Sequence, residues 1–196
     1  MKTKIVIVED DPITRMDISE ILIEEGYDVV GSASDGFDAI KLCKELNPDL
    51  VLMDIKMKML DGLKASKILI DEGISSCIVM LTAYSTKELI EESKKIGVSG
   101  YVVKPVDEKN LIPAIEVALS KNRELEKMRK EIENTNNKLE ERKYIERAKG
   151  ILIDEKNITE EEAYQTIRKL SMDKRVSMMD IAKVIILNSE GNQYEY

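Results

Sequence analysis

The residues best suited to chemistry fall in four short pieces of the first half of the chain. Glu9-Asp10-Asp11 is an acidic run, Asp54 follows the apolar stretch LVLM, Thr82 follows IVML, and Lys104 follows YVV. Each piece stands at the far end of a short apolar segment. Carboxylates packed so closely repel one another unless a cation joins them, and hard oxygen donors with room for water suit Mg²⁺. Asp54 is then the natural nucleophile and would form an aspartyl phosphate. Lys104 supplies a point positive charge for one phosphate oxygen, and the Thr82 hydroxyl can donate to another. Taken singly, each piece has an ordinary reading. An acidic pair after a strand is usually a helix cap, a strand-end aspartate is usually solvated, and Lys-Pro is a common turn. Their order at the ends of four successive segments points to one site.

The segments that must position these residues alternate between two types. Short, nearly continuous apolar runs suit strands buried on both faces: Ile5 to Val8, Val29 to Val30, Leu50 to Met53, Cys77 to Leu81 and Tyr101 to Val103. Helical patterns lie between them. One opens at Pro12, a favoured first-turn residue, and stops at Gly26. Others run from about Gly36 to Leu46, Leu63 to Glu72 and Thr86 to Ile96, and a fifth shows Leu111, Ile112, Ile115 and Leu119 on one face. Asn110 reads as the cap of that fifth helix, which puts Pro113 in the first turn, where backbone N–H groups lack partners anyway. Repeated βα units of this size predict an α/β fold, a five-stranded doubly wound parallel sheet with helices on both faces. In such a sheet ligands bind at the C-terminal strand edge, where the four pieces converge.

On these motifs residues 1–120 resemble a two-component receiver domain, a flavodoxin-like fold. The carrying pieces are Asp10-Asp11, the aspartate of LVLMD, Gly62, Thr82-Ala83 and Lys104-Pro105. The resemblance implies phosphorylation of Asp54 by a sensor histidine kinase. It also implies Mg²⁺ held by Asp11, Asp54 and the backbone carbonyl of Lys56, with Asp10 assisting through water. It further implies a switch in which Thr82 moves toward the phosphate and Tyr101 turns inward; an ordinary edge-strand tyrosine is the other reading. Receivers often carry Asp-x-x-Met-Pro, whereas this chain has Met57-Lys58, which bears on the stiffness of that loop and not on the site.

Composition narrows the classes. There is no histidine among the 196 residues, which removes the commonest general base, the usual zinc ligand and any phosphohistidine of the chain's own. No second constellation suggests an enzyme acting on diffusible substrates. Cys43 and Cys77 lie in apolar segments and read as buried free thiols of a reducing, cytoplasmic compartment. No apolar run approaches the ~20 residues of a membrane span, and the start, MKTKIVIVED, lacks the features of a signal peptide. Residues 1–120 hold 14 basic and 22 acidic side chains and residues 121–196 hold 16 of each. The second part therefore carries no bulk electropositive field.

From Ser120 to about Lys143 Pro and Gly disappear and charge density climbs. Leu111, Ala118, Leu125, Ile132 and Leu139 recur every seven residues, with Met128 and Thr135 at companion positions, so residues 121–142 read as a coiled-coil linker helix and a dimer seam. Lys121 and Arg142 interrupt the seam, and a solvated linker is the alternative. Residues 143–196 read as a three-helix bundle with a short tail, NQYEY. Tyr144 to about Asp154 places Ile145, Ala148, Ile151 and Leu152 on one side. Thr159 with Glu162 forms a capping box for a second helix carrying Ala163, Ile167 and Leu170. Ser177 with Asp180 opens a third with Met178, Ile181, Ala182 and Ile185, ended by Gly191.

Ala148-Lys149-Gly150, Glu162-Ala163-Tyr164, Leu170-Ser171-Met172, Lys174-Arg175 and Ile181-Ala182 make this segment similar to the ANTAR domain, an RNA-binding module of transcription antiterminators. The whole chain, including PITR after the acidic run, resembles the response regulators of bacterial ethanolamine-utilisation operons. Arg147, Lys149, Arg168, Lys169, Lys174 and Arg175 could meet phosphates, and Tyr144 or Tyr164 could stack an unpaired base. A solvated charged face and core tyrosines are the alternatives. Gly150 inside a helix is unfavourable by ~1 kcal/mol relative to Ala, so something is expected to approach the backbone there, either a packed helix or RNA. The resulting expectation is a regulator that dimerises on phosphorylation and binds structured RNA hairpins. A DNA-binding factor and a protein adaptor are the competing classes.

Overall fold

The computed structural model describes residues 2–75, 77–83 and 87–191. The chain divides into two compact units, Met1–Glu126 and Lys127–Tyr196.

The first unit alternates β1 (Lys4–Val8), α1 (Pro12–Glu24), β2 (Asp28–Ala33), α2 (Gly36–Leu46), β3 (Leu50–Asp54), α3 (Gly62–Asp71), β4 (Ile78–Thr82), α4 (Lys87–Ile96) and β5 (Gly100–Val103), then enters α5 (Glu108–Lys156). All neighbouring strands pair in parallel, in the order β2-β1-β3-β4-β5. The three central strands are buried on both faces, which is why they read as unbroken apolar runs. One face of the sheet packs Ile5, Ile7, Leu50, Leu52 and Val79 against Ile18 and Leu22 of α1 and Leu111, Ile115 and Ala118 of α5. The other packs Val6, Val8, Val51, Met53 and Met80 against Ala39 and Cys43 of α2 and Leu63, Ala65 and Leu69 of α3. Cys43 and Cys77 are free and buried, and burial pushes the Cys43 thiol up to about 12. Thr86, expected to open the fourth helix, lies outside the described residues, as does the tail 192–196.

Three expectations change at α5. The helix begins at Glu108 and its cap is Asp107, not Asn110: the Asn110 N–H donates to Asp107 Oδ1 (2.9 Å) and the Asp107 N–H donates to Asn110 Oδ1 (3.1 Å). Pro113 therefore lies beyond the first turn. Leu111 and Ala118 are buried in the receiver core and cannot serve a dimer seam, whereas Leu125, Met128, Ile132 and Leu139 are exposed. The helix also runs unbroken for 49 residues, through the segment expected to form a separate first helix of the output bundle. Neither Gly nor Pro occurs between residues 121 and 149, and Glu140-Glu141-Arg142-Lys143 offers no capping side chain before Tyr144.

In the second unit the end of α5 packs with α6 (Glu160–Lys174) and α7 (Met178–Gly191) around Ala148, Leu152, Ala163, Ile167, Ala182 and Ile186. The Thr159–Glu162 capping box is present, and the Asp180 N–H donates to Ser177 Oγ (3.1 Å). Leu170, expected on the inner face of α6, is exposed, and Ile186 takes a core place that was not expected of it.

Candidate functional site

Strand β1 delivers Glu9 and Asp10 to the C-terminal edge of the sheet, and its neighbour β3 ends on Asp54. The chain leaves β1 toward β2 and returns to β3 on the other side, so these carboxylates flank the point where the strand order reverses. Glu9 is fully buried, and Asp54 is 5% exposed. Carboxylate oxygens of Glu9, Asp10 and Asp54 lie within 4.8 Å of one another. Lys104, which follows β5, reaches into the cluster: its Nζ is 2.7 Å from Glu9 Oε2 and 3.0 Å from Asp54 Oδ1.

Burial raises the pKa of Glu9 and of Asp54. Lys104 opposes the shift in both, while the Asp54 charge adds to it at Glu9 and the Asp10 charge adds to it at Asp54. Burial pulls Lys104 down, but its two carboxylate partners outweigh that and hold the ammonium above its usual range. One lysine thus faces three acids. That surplus of oxygen donors, partly open through Asp10, fits a hard divalent cation such as Mg²⁺.

The acidic set stands one residue earlier than the sequence suggested. Asp11 is not in the cluster; its Oδ1 accepts from the N–H of Ile13 (2.8 Å) and of Thr14 (3.4 Å) and caps α1. The signal was available, because an acidic residue immediately before a first-turn proline is well placed to be the cap. Glu9, part of the acidic run in the sequence but outside the ligand set that the receiver resemblance implied, stands in the cluster instead.

Gly62 shapes the loop that follows Asp54. Its N–H donates to the Ile55 carbonyl (3.0 Å), and a Cβ built at Gly62 would lie 1.9 Å from the Asp54 carbonyl oxygen. The start of α3 therefore presses directly on the acceptor's backbone. Lys56 stands two residues beyond Asp54 in the same loop. Thr82 ends β4 and is buried, and its carbonyl accepts from the Lys104 N–H (2.8 Å). Tyr101 on β5 is 46% exposed, so its ring is turned outward.

The output residues separate into two groups. Arg147, Arg168, Lys169, Lys174 and Arg175 are exposed, and Tyr164 is partly so. Lys149 is not available in the same way: it is 7% exposed, with Nζ 2.7 Å from Glu160 and 2.9 Å from Glu146, joining α5 to the first turn of α6. Tyr144 packs on the core of the bundle, with Lys183 Nζ 5.2 Å from its ring centre. Gly150 is exposed, and among the described residues nothing apart from the neighbouring backbone of α5 lies within 4 Å of a Cβ built there, so no described helix packs closely against this glycine.

Among the described residues, no helix is long and apolar enough to cross a membrane. Residues 5–116 match the response regulator receiver domain, and residues 133–186 match the ANTAR domain. The transcriptional regulatory protein PdtaR of Mycobacterium tuberculosis is 41% identical over 183 residues, covering 93% of this chain and 89% of that protein. The chemotaxis protein CheY of Bacillus subtilis is 33% identical over 61% of this chain and 100% of its own length. Among solved structures, a LuxR-family response regulator from Aurantimonas is 33% identical with a TM-score of 0.56, covering 61% of this chain and 86% of that one. The CheY of a CheX-CheY-BeF3-Mg²⁺ complex from Borrelia burgdorferi is 25% identical with a TM-score of 0.54, covering 58% of this chain and 86% of that one. The chain belongs to the response regulators that join a receiver domain to an ANTAR domain.

Proposed function

We propose that Asp54 accepts a phosphoryl group from a sensor histidine kinase, and that the phosphorylated chain binds structured RNA as a homodimer and prevents transcription termination. The observation that carries the first half is the pairing of a buried Asp54 with Lys104 inside an acidic cluster at the sheet's switch point. A carboxylate oxygen of Asp54 attacks phosphorus, the P–N bond to the donor imidazole breaks, and the leaving nitrogen keeps the electron pair and takes a proton. Lys104 stays on the incoming phosphoryl oxygens, and Thr82 closes on them from β4 while Tyr101 moves inward.

Asp10 and Asp54, with Glu9 beside them and the Lys56 carbonyl in the following loop, would hold Mg²⁺. Its charge, when bound, offsets that of the carboxylates and the phosphoryl group together. The relative solved with BeF3 and Mg²⁺ supports this reading.

For the output, the ANTAR match and the exposed Arg168, Lys169, Lys174 and Arg175 favour RNA, and the exposed Leu125, Met128, Ile132 and Leu139 favour pairing of two copies. The ethanolamine-utilisation setting implied by the whole-chain resemblance is part of the same proposal, and sequencing the transcripts bound by the chain in its native cell tests it.

Asp54→Asn should take up no acid-labile phosphate from acetyl phosphate with Mg²⁺. Wild-type protein treated in the same way should bind RNA hairpins more tightly than duplex DNA. Phosphate on the mutant would sink the acceptor assignment, and a preference for duplex DNA would end the antiterminator reading.

A further inference from the structure

The loop from Ile55 to Asp61 joins Asp54 to α3, and its Lys56 carbonyl is one of the groups proposed above to hold Mg²⁺. Its own sequence does little to stiffen it. The loop contains no proline, and Lys58 stands where receivers often carry one. The backbone is nevertheless held in an unusual shape: Met59 has a φ of 65°, in the left-handed region that a side chain of its kind rarely enters. A residue keeps such a conformation only where its surroundings impose it.

The first turn of α2 supplies those surroundings. Asp35 caps this helix by accepting from the N–H of Phe37 (2.8 Å) and of Asp38 (3.1 Å), which leaves the Gly36 N–H outside the cap. That N–H donates to the Leu60 carbonyl, 3.2 Å away and one residue beyond Met59. The approach leaves no room for a side chain. A Cβ built at Gly36 would lie 2.7 Å from the Leu60 carbonyl oxygen and 2.9 Å from both Leu60 Cγ and Ala65 Cβ. Near Asp54 the loop is fixed separately, because the Ile55 N–H donates to the Leu81 carbonyl (3.1 Å) and the Ile55 carbonyl accepts from Gly62 (3.0 Å). Lys56 therefore lies between two anchored points, one on the sheet and one on α2. On the other flank of α3, Lys56 and Met57 border a cleft of about 620 Å³ between α3 and α4. Support on that flank is thinner, so the α2 contact carries more of the positioning.

We propose that Gly36 is a positioning residue for the cation: by letting α2 lie directly against Leu60, it fixes the loop and with it the Lys56 carbonyl. The inference rests on the Mg²⁺ reading above. It gives a part in the site to α2, which supplies none of the three clustered carboxylates.

The test needs no phosphodonor. MgCl₂ is titrated calorimetrically into the full-length protein, and exchange of the Gly36 amide is followed by NMR with and without the ion. In Gly36→Ala the Leu60 carbonyl must retreat by at least about 0.3 Å, from 2.7 Å to the 3.0 Å that real Cβ atoms keep. The variant should bind Mg²⁺ roughly tenfold more weakly, the usual consequence of disturbing a group that orients a ligand. Coupling is reciprocal, so in the unmutated protein saturating Mg²⁺ should slow exchange of the Gly36 amide by a similar factor.

A lowered unfolding temperature with wild-type Mg²⁺ affinity overturns the proposal and leaves Gly36 a packing residue. Should Gly36→Ala fail to fold, the unmutated protein decides: a Gly36 amide indifferent to saturating Mg²⁺ overturns the proposal, and a slowed one upholds it. Failure of the unmutated protein to bind Mg²⁺ overturns the Mg²⁺ reading and this inference with it.

Discussion

Gly62→Ala is a one-methyl change aimed at the acceptor through its backbone. The new Cβ would stand 1.9 Å from the Asp54 carbonyl oxygen and 2.9 Å from both its carbonyl carbon and Met53 Cγ. Real Cβ atoms essentially never come closer than 3.0 Å, so α3 or the end of β3 must retreat by about 1.1 Å. Neither can yield by rotating a side chain, because the obstacle is main chain. Overpacking of this kind destabilises by about 1–3 kcal/mol. A displacement of roughly 1 Å at a reacting group lowers a rate by about 10²-fold. Phosphorylation by acetyl phosphate with Mg²⁺, followed by intact-protein mass, should therefore slow by about two orders of magnitude while circular dichroism still reports a folded domain. Labelling of Gly62→Ala at the wild-type rate would show that this contact does not set the acceptor's position, and Gly62 would be reduced to a packing residue.

Lys104→Ala should destabilise the chain by about 3 kcal/mol in urea, because Glu9 and Asp54 would remain buried without their cation. Mg²⁺ should restore part of that loss and stabilise the variant more than it stabilises the wild type; equal effects of Mg²⁺ on both would remove the ion from this cluster. At the seam, Ile132→Asp should keep the melting temperature, since Ile132 is 61% exposed, yet abolish the phosphorylation-dependent dimer in sedimentation. Ala118→Asp should unfold the receiver instead, because Ala118 is buried in its core. A dimer that survives Ile132→Asp would place the interface elsewhere.

What the sequence made legible follows from how local each signal is. Strands buried on both faces announce themselves as apolar runs, so β1, β3 and β4 were found within a residue or so, while the part-exposed β2 was found only at two of its six residues. The converging strand ends were legible for the same reason. The register within the acidic run was harder to read. The choice between Asp10-Asp11 and Glu9-Asp10 depends on which carboxylate turns back to cap α1, and the one local signal for it is the position of Asp11 directly before Pro12.

The heptad count failed in a related way. Leu111 and Ala118 share a seven-residue spacing with Leu125 and Ile132, but a periodicity says only that residues lie on one face of a helix, not what that face meets. Along α5 the same stripe meets the sheet at Leu111 and Ala118 and lies exposed at Leu125 and Ile132. Lys149 and Gly150 make the point at adjacent positions. Lys149 read as a phosphate contact or a solvated cation, and Gly150 as meeting a packed helix or RNA; the structure ties the lysine to α6 and, among the described residues, brings no packed helix to the glycine. A charged side chain can be satisfied within the fold, so its presence is weak evidence for a ligand.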